Sequence, residues 1–162
     1  RRQRQMCIRD RYAGKEYGPV EFKTDYEYVT LNVREFGAYG DGEHDDTNAI
    51  QCAIMAAPKD SRVLVPEGVY KISSIFLKDN LNLELAKGAV LSAFTERNKF
   101  PILPGQIETY DEKDYYNLGT WEGNPLDMFS AIVCGINCSN VTITGEGTID
   151  GCTTHDLSLI HI

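Results

Sequence analysis

The sequence predicts an all-β fold with a single helix. Apolar residues recur at every second position in short runs such as Val63-Leu-Val65 and Leu81-Asn-Leu-Glu-Leu85, the period of strands with one buried face. The connections between them are brief turns, among them Pro66-Glu-Gly68, Lys78-Asp-Asn80 and Lys87-Gly88, which are built from residues that suit tight backbone angles. Helical periodicity occurs in one place only, so no series of long crossover helices is available. Pattern alone leaves stacked coils, a sandwich and a barrel open.

Taken in order, the chain begins with Arg1 to Arg11, five arginines against one aspartate. Without them the remainder carries 11 basic and 23 acidic residues, a net charge of −12 rather than −8. A basic arm can bind nucleic acid, but a terminal segment without a structured context is the stronger reading, and the acidic body makes an awkward partner for an acidic polysaccharide. The expectation for 1–11 is an unstructured or artefactual end, and both this segment and 157–162 resemble sequencing-adapter read-through. No apolar core follows the arginines as a signal peptide requires, and no stretch is long and apolar enough to span a membrane. No compartment follows.

Residues 12–31 hold Val20-Glu-Phe-Lys-Thr24 and Tyr28-Val-Thr-Leu31, too little for a core of their own. A domain boundary is expected near Leu31 or Asn32. The helix comes next: Ile50, Ala53, Ile54 and Ala57 fall on one face, Asp45, Asp46 or Thr47 can accept from its first amides, and Pro58 stops it.

Strands then follow in quick succession at Val63 to Val65, Tyr70 to Ile72, Ile75 to Leu77, Leu81 to Leu85 and Val90 to Ser92. Phe94 to Asp127 interrupts them with an aromatic and acidic stretch read as a long loop, the kind that is usually functional or disordered. Strands resume at Phe129 to Val133 and at Val141. Val141-Thr-Ile-Thr-Gly-Glu-Gly-Thr-Ile-Asp150-Gly151 is two alternating runs about a glycine turn, which the pattern allows as a β-hairpin.

Several segments together carry a family resemblance. Asn140 to Gly151, Val33-Arg-Glu-Phe-Gly-Ala-Tyr-Gly-Asp-Gly-Glu-His-Asp-Asp-Thr-Asn-Ala-Ile50, Val63 to Tyr70, Leu81 to Ser92 and Trp121-Glu-Gly-Asn-Pro125 resemble the N-terminal half of the polygalacturonases, glycoside hydrolase family 28. The resemblance implies a right-handed parallel β-helix, of which residues 32–156 are the N-terminal coils and the helix is an amphipathic cap over the open first coil. It also makes Val141 to Gly151 a coil rather than a hairpin, and 12–31 the last strand of a small preceding β-sandwich. The chain is expected to be an N-terminal fragment of a bacterial member.

The activity so implied is hydrolysis of α-1,4-galacturonosyl links of pectin, exo-acting and inverting, with an acidic polysaccharide as partner and no metal or organic cofactor. In an inverting pair one carboxylic acid protonates the glycosidic oxygen and a carboxylate about 6.5–9.5 Å away activates water. The family's Asn-Thr-Asp and Gly-His-Gly motifs do not occur in this sequence, the Arg-x-Lys spacing occurs only at Arg97-Asn-Lys99 without those motifs before it, and Asp45-Asp46 precedes the helix rather than lying on a later coil. No catalytic residue is therefore assigned, and this chain alone is expected to be inactive. A β-helix used for binding, as in tailspikes and adhesins, and a β-helix lyase remain alternatives.

Among residues that could touch substrate, Trp121 offers a flat apolar face for a sugar ring and Glu122 a hydroxyl acceptor. Tyr115 and Tyr116 are weaker candidates. Asp41-Gly-Glu-His-Asp-Asp46 lacks the register of a calcium loop and reads as a turn and helix cap. Asp150 reads as a turn residue, and His155 earns no role. Cys7, Cys52, Cys134, Cys138 and Cys152 are an odd set without zinc spacing, expected as small buried residues.

Overall fold

The computed structural model describes residues 5–12, 15–23, 29–108 and 115–153. The first described strands, β1 (Gln5–Tyr12) and β2 (Lys15–Lys23), form an antiparallel hairpin. Strand β1 overlaps residues 5–11 of the end expected to be unstructured, and backbone pairing across the hairpin satisfies groups that an isolated arm would leave to water. Register places Met6 opposite Phe22 and Arg11 opposite Glu16.

The parallel coils begin with β3 (Thr30–Asn32), which contains the boundary expected at Leu31 or Asn32. A 3-10 turn at Val33–Phe36 leads to β4 (Asp41–Asp45) and to α1 (Thr47–Ala56). The second coil is β5 (Ser61–Val65), β6 (Gly68–Ile72) and β7 (Ile75–Phe76), and the third opens with β8 (Leu81–Leu85) and β9 (Ala89–Ala93).

An insertion separates β9 from the return of the third coil. It contains β10 (Ile102–Leu103), β11 (Gln106–Glu108), β12 (Tyr115–Asn117), β13 (Thr120–Trp121), β14 (Asn124–Pro125) and β15 (Met128–Phe129). The third coil resumes as β16 (Val133–Cys134), and a fourth holds β17 (Val141–Gly145) and β18 (Thr148–Asp150).

Pairing between coils is parallel on three faces, with sheets in the orders β17-β8-β5-β3, β18-β9-β6-β4 and β16-β7. Strands β17 and β18 each pair with the coil below and not with each other, so the Val141 to Gly151 segment is a coil. Stacking places like on like: Leu31, Val63, Leu83 and Ile143 share one register, and Tyr70, Leu91 and Ile149 another. Val63, Leu83, Tyr70 and Leu91 are fully buried, each burial favouring the fold by about 1.5–3 kcal/mol. Intervening residues of β5 and β8 are half-buried, as alternation requires.

Glycine is obligatory at the end of β17. Gly145 sits at φ 109°, and a Cβ there would fall 1.9 Å from the Leu85 carbonyl oxygen of the coil below. The corners repeat as well. Asp60, Asn80 and Asn140, each immediately before β5, β8 or β17, adopt φ of 59°, 55° and 54°, a left-handed conformation that Asp and Asn tolerate better than most residues.

At the first coil, α1 buries Ile50, Ala53, Ile54 and the following Ala57 in the same apolar cluster as Val33 and Val63. Three polar clasps fix it to the second coil. Thr47 Oγ1 accepts from Ser73 N at 2.9 Å. Gln51 behaves as a missing strand, its Nε2 donating to Phe76 O at 3.0 Å and its Oε1 accepting from Phe76 N at 2.7 Å. Lys78 Nζ donates to Met55 O at 2.9 Å and Ala57 O at 2.6 Å, where helix carbonyls otherwise lack partners.

The single loop expected over Phe94 to Asp127 is instead built of local antiparallel pairs, β10 with β15, β11 with β12 and β13 with β14. The strand expected at Phe129 to Val133 is correspondingly split, its first residue ending β15 and its last opening β16. Ser130 marks the join, buried and hydrogen-bonded through Oγ to Ser74 Oγ at 2.5 Å. Cys134 is buried and Cys138 and Cys152 are half-buried, but Cys52 is exposed on the outer side of α1, which corrects the expectation for that cysteine. Among the described residues no helix is long and apolar enough to cross a membrane.

The Gln51 clasp makes a measurable difference. Gln51→Ala leaves both Phe76 backbone groups without their partner and is expected to cost about 1–3 kcal/mol, read as a lower urea midpoint. Cys52→Ala, one position along on the exposed side, should leave the midpoint unchanged.

Candidate functional site

Two surface features bring chemistry-bearing side chains together. The first is the tip of the insertion. Strands β13 and β14 pair Trp121 with Asn124, leaving Glu122-Gly123 as a two-residue loop. Both loop residues have positive φ, 50° and 84°, the signature of a tight hairpin turn whose twist matches its strands.

That turn sets Trp121 beside Glu122 at the apex. Trp121 is 70 % exposed, so its ring is not used to pack the insertion onto the coils. Neither its indole nitrogen nor the Glu122 carboxylate has a hydrogen-bond partner among the described residues. Lower in the insertion, Gly105 N donates to Asp127 Oδ1 at 3.0 Å, and Leu126 N donates to Gly119 O at 3.1 Å. Ile102 and Phe129, opposite each other, are also largely exposed. Tyr115 and Tyr116 lie on β12, while Tyr110 and His155 fall outside the described residues.

The second feature is the β4 edge. Asp41 accepts from Glu43 N at 2.9 Å, His44 N at 3.0 Å and His44 Nδ1 at 2.6 Å. Those two amides and the imidazole hold its carboxyl down from the ordinary 3.8 to about 2. His44 stacks on Tyr39 with ring centroids 4.1 Å apart.

The adjoining Asp46 is buried and accepts from Tyr39 N at 2.7 Å and Gly40 N at 2.9 Å, so it ties the turn rather than capping α1 with its side chain. Asp45 caps instead, through Thr47 N at 3.1 Å and Thr47 Oγ1 at 2.6 Å. Asp150 accepts from Cys152 N at 2.9 Å and closes a turn. Among the described residues no cluster of three or more His, Cys, Asp or Glu could hold a metal ion.

The stacked coils, the helical cap and the insertion from the third coil define a right-handed parallel β-helix. Residues 30–150 match the family described as rhamnogalacturonase A/epimerase, pectate lyase-like, and the chain belongs to that family.

Its relatives include polygalacturonases, a plasmin and fibronectin-binding protein and, over a shorter stretch of 47 residues, an alginate lyase and mannuronan C5-epimerases of Azotobacter vinelandii. The chain is 32 % identical over 127 residues to an exo-poly-α-D-galacturonosidase of Dickeya chrysanthemi, covering 75 % of this chain and 19 % of that protein. It is 42 % identical over 124 residues to the plasmin and fibronectin-binding protein A of Streptococcus pneumoniae, covering 68 % of this chain and 17 % of that one. Among solved structures, the family 28 exopolygalacturonase of Yersinia enterocolitica matches with a TM-score of 0.68 and 29 % identity over 91 % of this chain and 25 % of its own.

The low Asp41 pKa predicts an acid limb in stability. A group whose folded pKa is depressed contributes fully above its unfolded value and loses that contribution as the pH falls towards the folded one. Thermal midpoints of the native chain should therefore decline between pH about 4 and about 2, and Asp41→Asn should remove part of that decline.

Proposed function

We propose that these coils serve a polygalacturonase-type glycosidase that hydrolyses α-1,4-galacturonosyl links of pectin, from chain ends and with inversion of the anomeric centre. The observation that supports this reading best is the family match over residues 30–150, joined to galacturonosidase relatives in both sequence and structure. In this reading the chain is an N-terminal portion that positions substrate, while the acid and base carboxylates lie on other coils. Trp121 stacks against a sugar ring, and the Glu122 carboxylate accepts from its hydroxyls. A hairpin apex suits that task, because the turn fixes both residues while leaving the indole face open.

The complete gene product on polygalacturonate provides the test. Release of monomeric galacturonate whose first-formed anomer is inverted, followed by NMR, is the expected outcome. An unsaturated product would mean elimination and would sink the hydrolytic reading. Trp121→Ala in that protein should raise KM about tenfold, equivalent to ~1.4 kcal/mol of binding, with kcat little changed. The 162-residue chain by itself should release no reducing sugar.

A binding role is the second reading, favoured by the 42 % identity to the pneumococcal plasmin and fibronectin-binding protein. Saturable binding of this chain to immobilised fibronectin, with no galacturonate released by the complete product, would decide for it.

A further inference from the structure

The β4 edge carries a feature that the proposed function leaves unused. Tyr39 and His44 lie five positions apart, yet their rings stack at 15° to one another. A bulge makes this possible. From Asp41 to Asp45 the strand takes four steps, where its partner β6 takes two, from Val69 to Lys71, and the surplus chain folds His44 back over Tyr39.

Every part of the pair is held in place. Tyr39 N donates to Asp46 Oδ1 at 2.7 Å and Tyr39 O accepts from Arg34 Nη1 at 2.8 Å, so the backbone is fixed on both sides of the ring. Arg34 is itself anchored, its Nη2 donating to Glu67 O at 2.9 Å. Asp41 engages His44 Nδ1 and so sets the orientation of the imidazole. Despite this anchoring Tyr39 is 58 % exposed and the His44 side chain 55 %. The Tyr39 hydroxyl and His44 Nε2 have no partner among the described residues.

An exposed aromatic ring immobilised by polar contacts on its own backbone contributes little to a core. It does present a rigid apolar face flanked by two open polar atoms, which is the recognition chemistry of a pyranose: C–H groups on the ring face and hydroxyls at its rim. The surrounding charge selects among sugars. Asp41, Glu43 and Asp45 are all exposed on the same strand, against Lys71 opposite Asp45 on β6, and the nearby Arg34 is already committed to two carbonyls. Like charges at this range disfavour a uronate carboxylate.

We propose that the stacked Tyr39–His44 pair is a binding platform for a neutral pyranose ring, separate from the Trp121 hairpin. Tyr39 supplies the stacking face, and His44, oriented by Asp41, supplies a hydrogen bond to a ring hydroxyl through Nε2.

The test is an NMR titration of this chain with methyl β-galactopyranoside and, in parallel, methyl α-galacturonopyranoside. The neutral glycoside should move the Tyr39 and His44 ring resonances with saturation, and the uronoside should bind at least tenfold more weakly. Tyr39→Ala should abolish the response, Tyr39→Phe should retain most of it and Trp121→Ala should leave it unaltered, which separates this platform from the proposed Trp121 site. His44→Gln, which removes the stacked imidazole, should weaken the response and serves if Tyr39→Ala fails to fold. Unmoved Tyr39 and His44 signals, an equal response to the uronoside, or a response that survives loss of the Tyr39 ring would overturn the proposal.

Discussion

Each coil can bury its inward face only against the coil above or below it. A single turn of two or three short strands encloses no core, so Val63, Leu83 and Ile143 gain their burial from one another and not from their own neighbours in sequence. The consequence is visible at both ends. In the middle coils the inward residues are fully buried, whereas Ile143 and Ile149 in the last described coil stay 44 % and 43 % exposed. At the first coil the same need is met by α1, whose apolar face stands in for a missing turn. Gln51 extends the substitution to the backbone by pairing with the edge of β7.

Keeping the columns aligned places strict demands on the corners. The left-handed residues Asp60, Asn80 and Asn140 turn the chain at the same point of three coils, and Asn140 Nδ2 donates to Asn80 Oδ1 at 3.0 Å between two of them. Ser139 N and Oγ donate to Asp79 Oδ1 at 2.6 and 2.9 Å, which lowers the Asp79 pKa by charge-assisted hydrogen bonding. With register fixed in this way, variation is confined to where the chain leaves the stack. The insertion after β9 is the large instance, and the β4 bulge the small one. Both candidate surfaces stand on these departures, since residues inside the columns have no freedom to face a ligand.

The candidate residues differ in how far they could be read beforehand. Trp121 and Glu122 were singled out by residue type and by family resemblance, but the two-residue turn that puts them at an apex was not foreseen, because Glu122 is an uncommon residue at positive φ. The strand pairs of the insertion were missed for a related reason: aromatic, acidic and proline residues there lack the alternation that marks a half-buried strand. The pairing of Tyr39 with His44 gave no signal, although His44 stood in the acidic cluster read as a turn and helix cap. Their contact depends on a bulge whose surplus is defined only relative to β6, a partner some 25 residues away in the chain (from 44 to 69).

By itself the sequence determined the strands of the stacked coils from β5 to β9 and the apolar helix face, because period-two burial and an amphipathic helix are properties of near neighbours along the chain. Its motifs carried the family. Tertiary structure alone decided that Val141 to Gly151 is a coil and not a hairpin, that Asp46 ties a turn while Asp45 caps the helix, and that Tyr39 meets His44. Each of those outcomes rests on which distant strand or loop supplies the partner. In a fold whose contacts run across coils rather than along them, local pattern specifies the element and stacking specifies its mate.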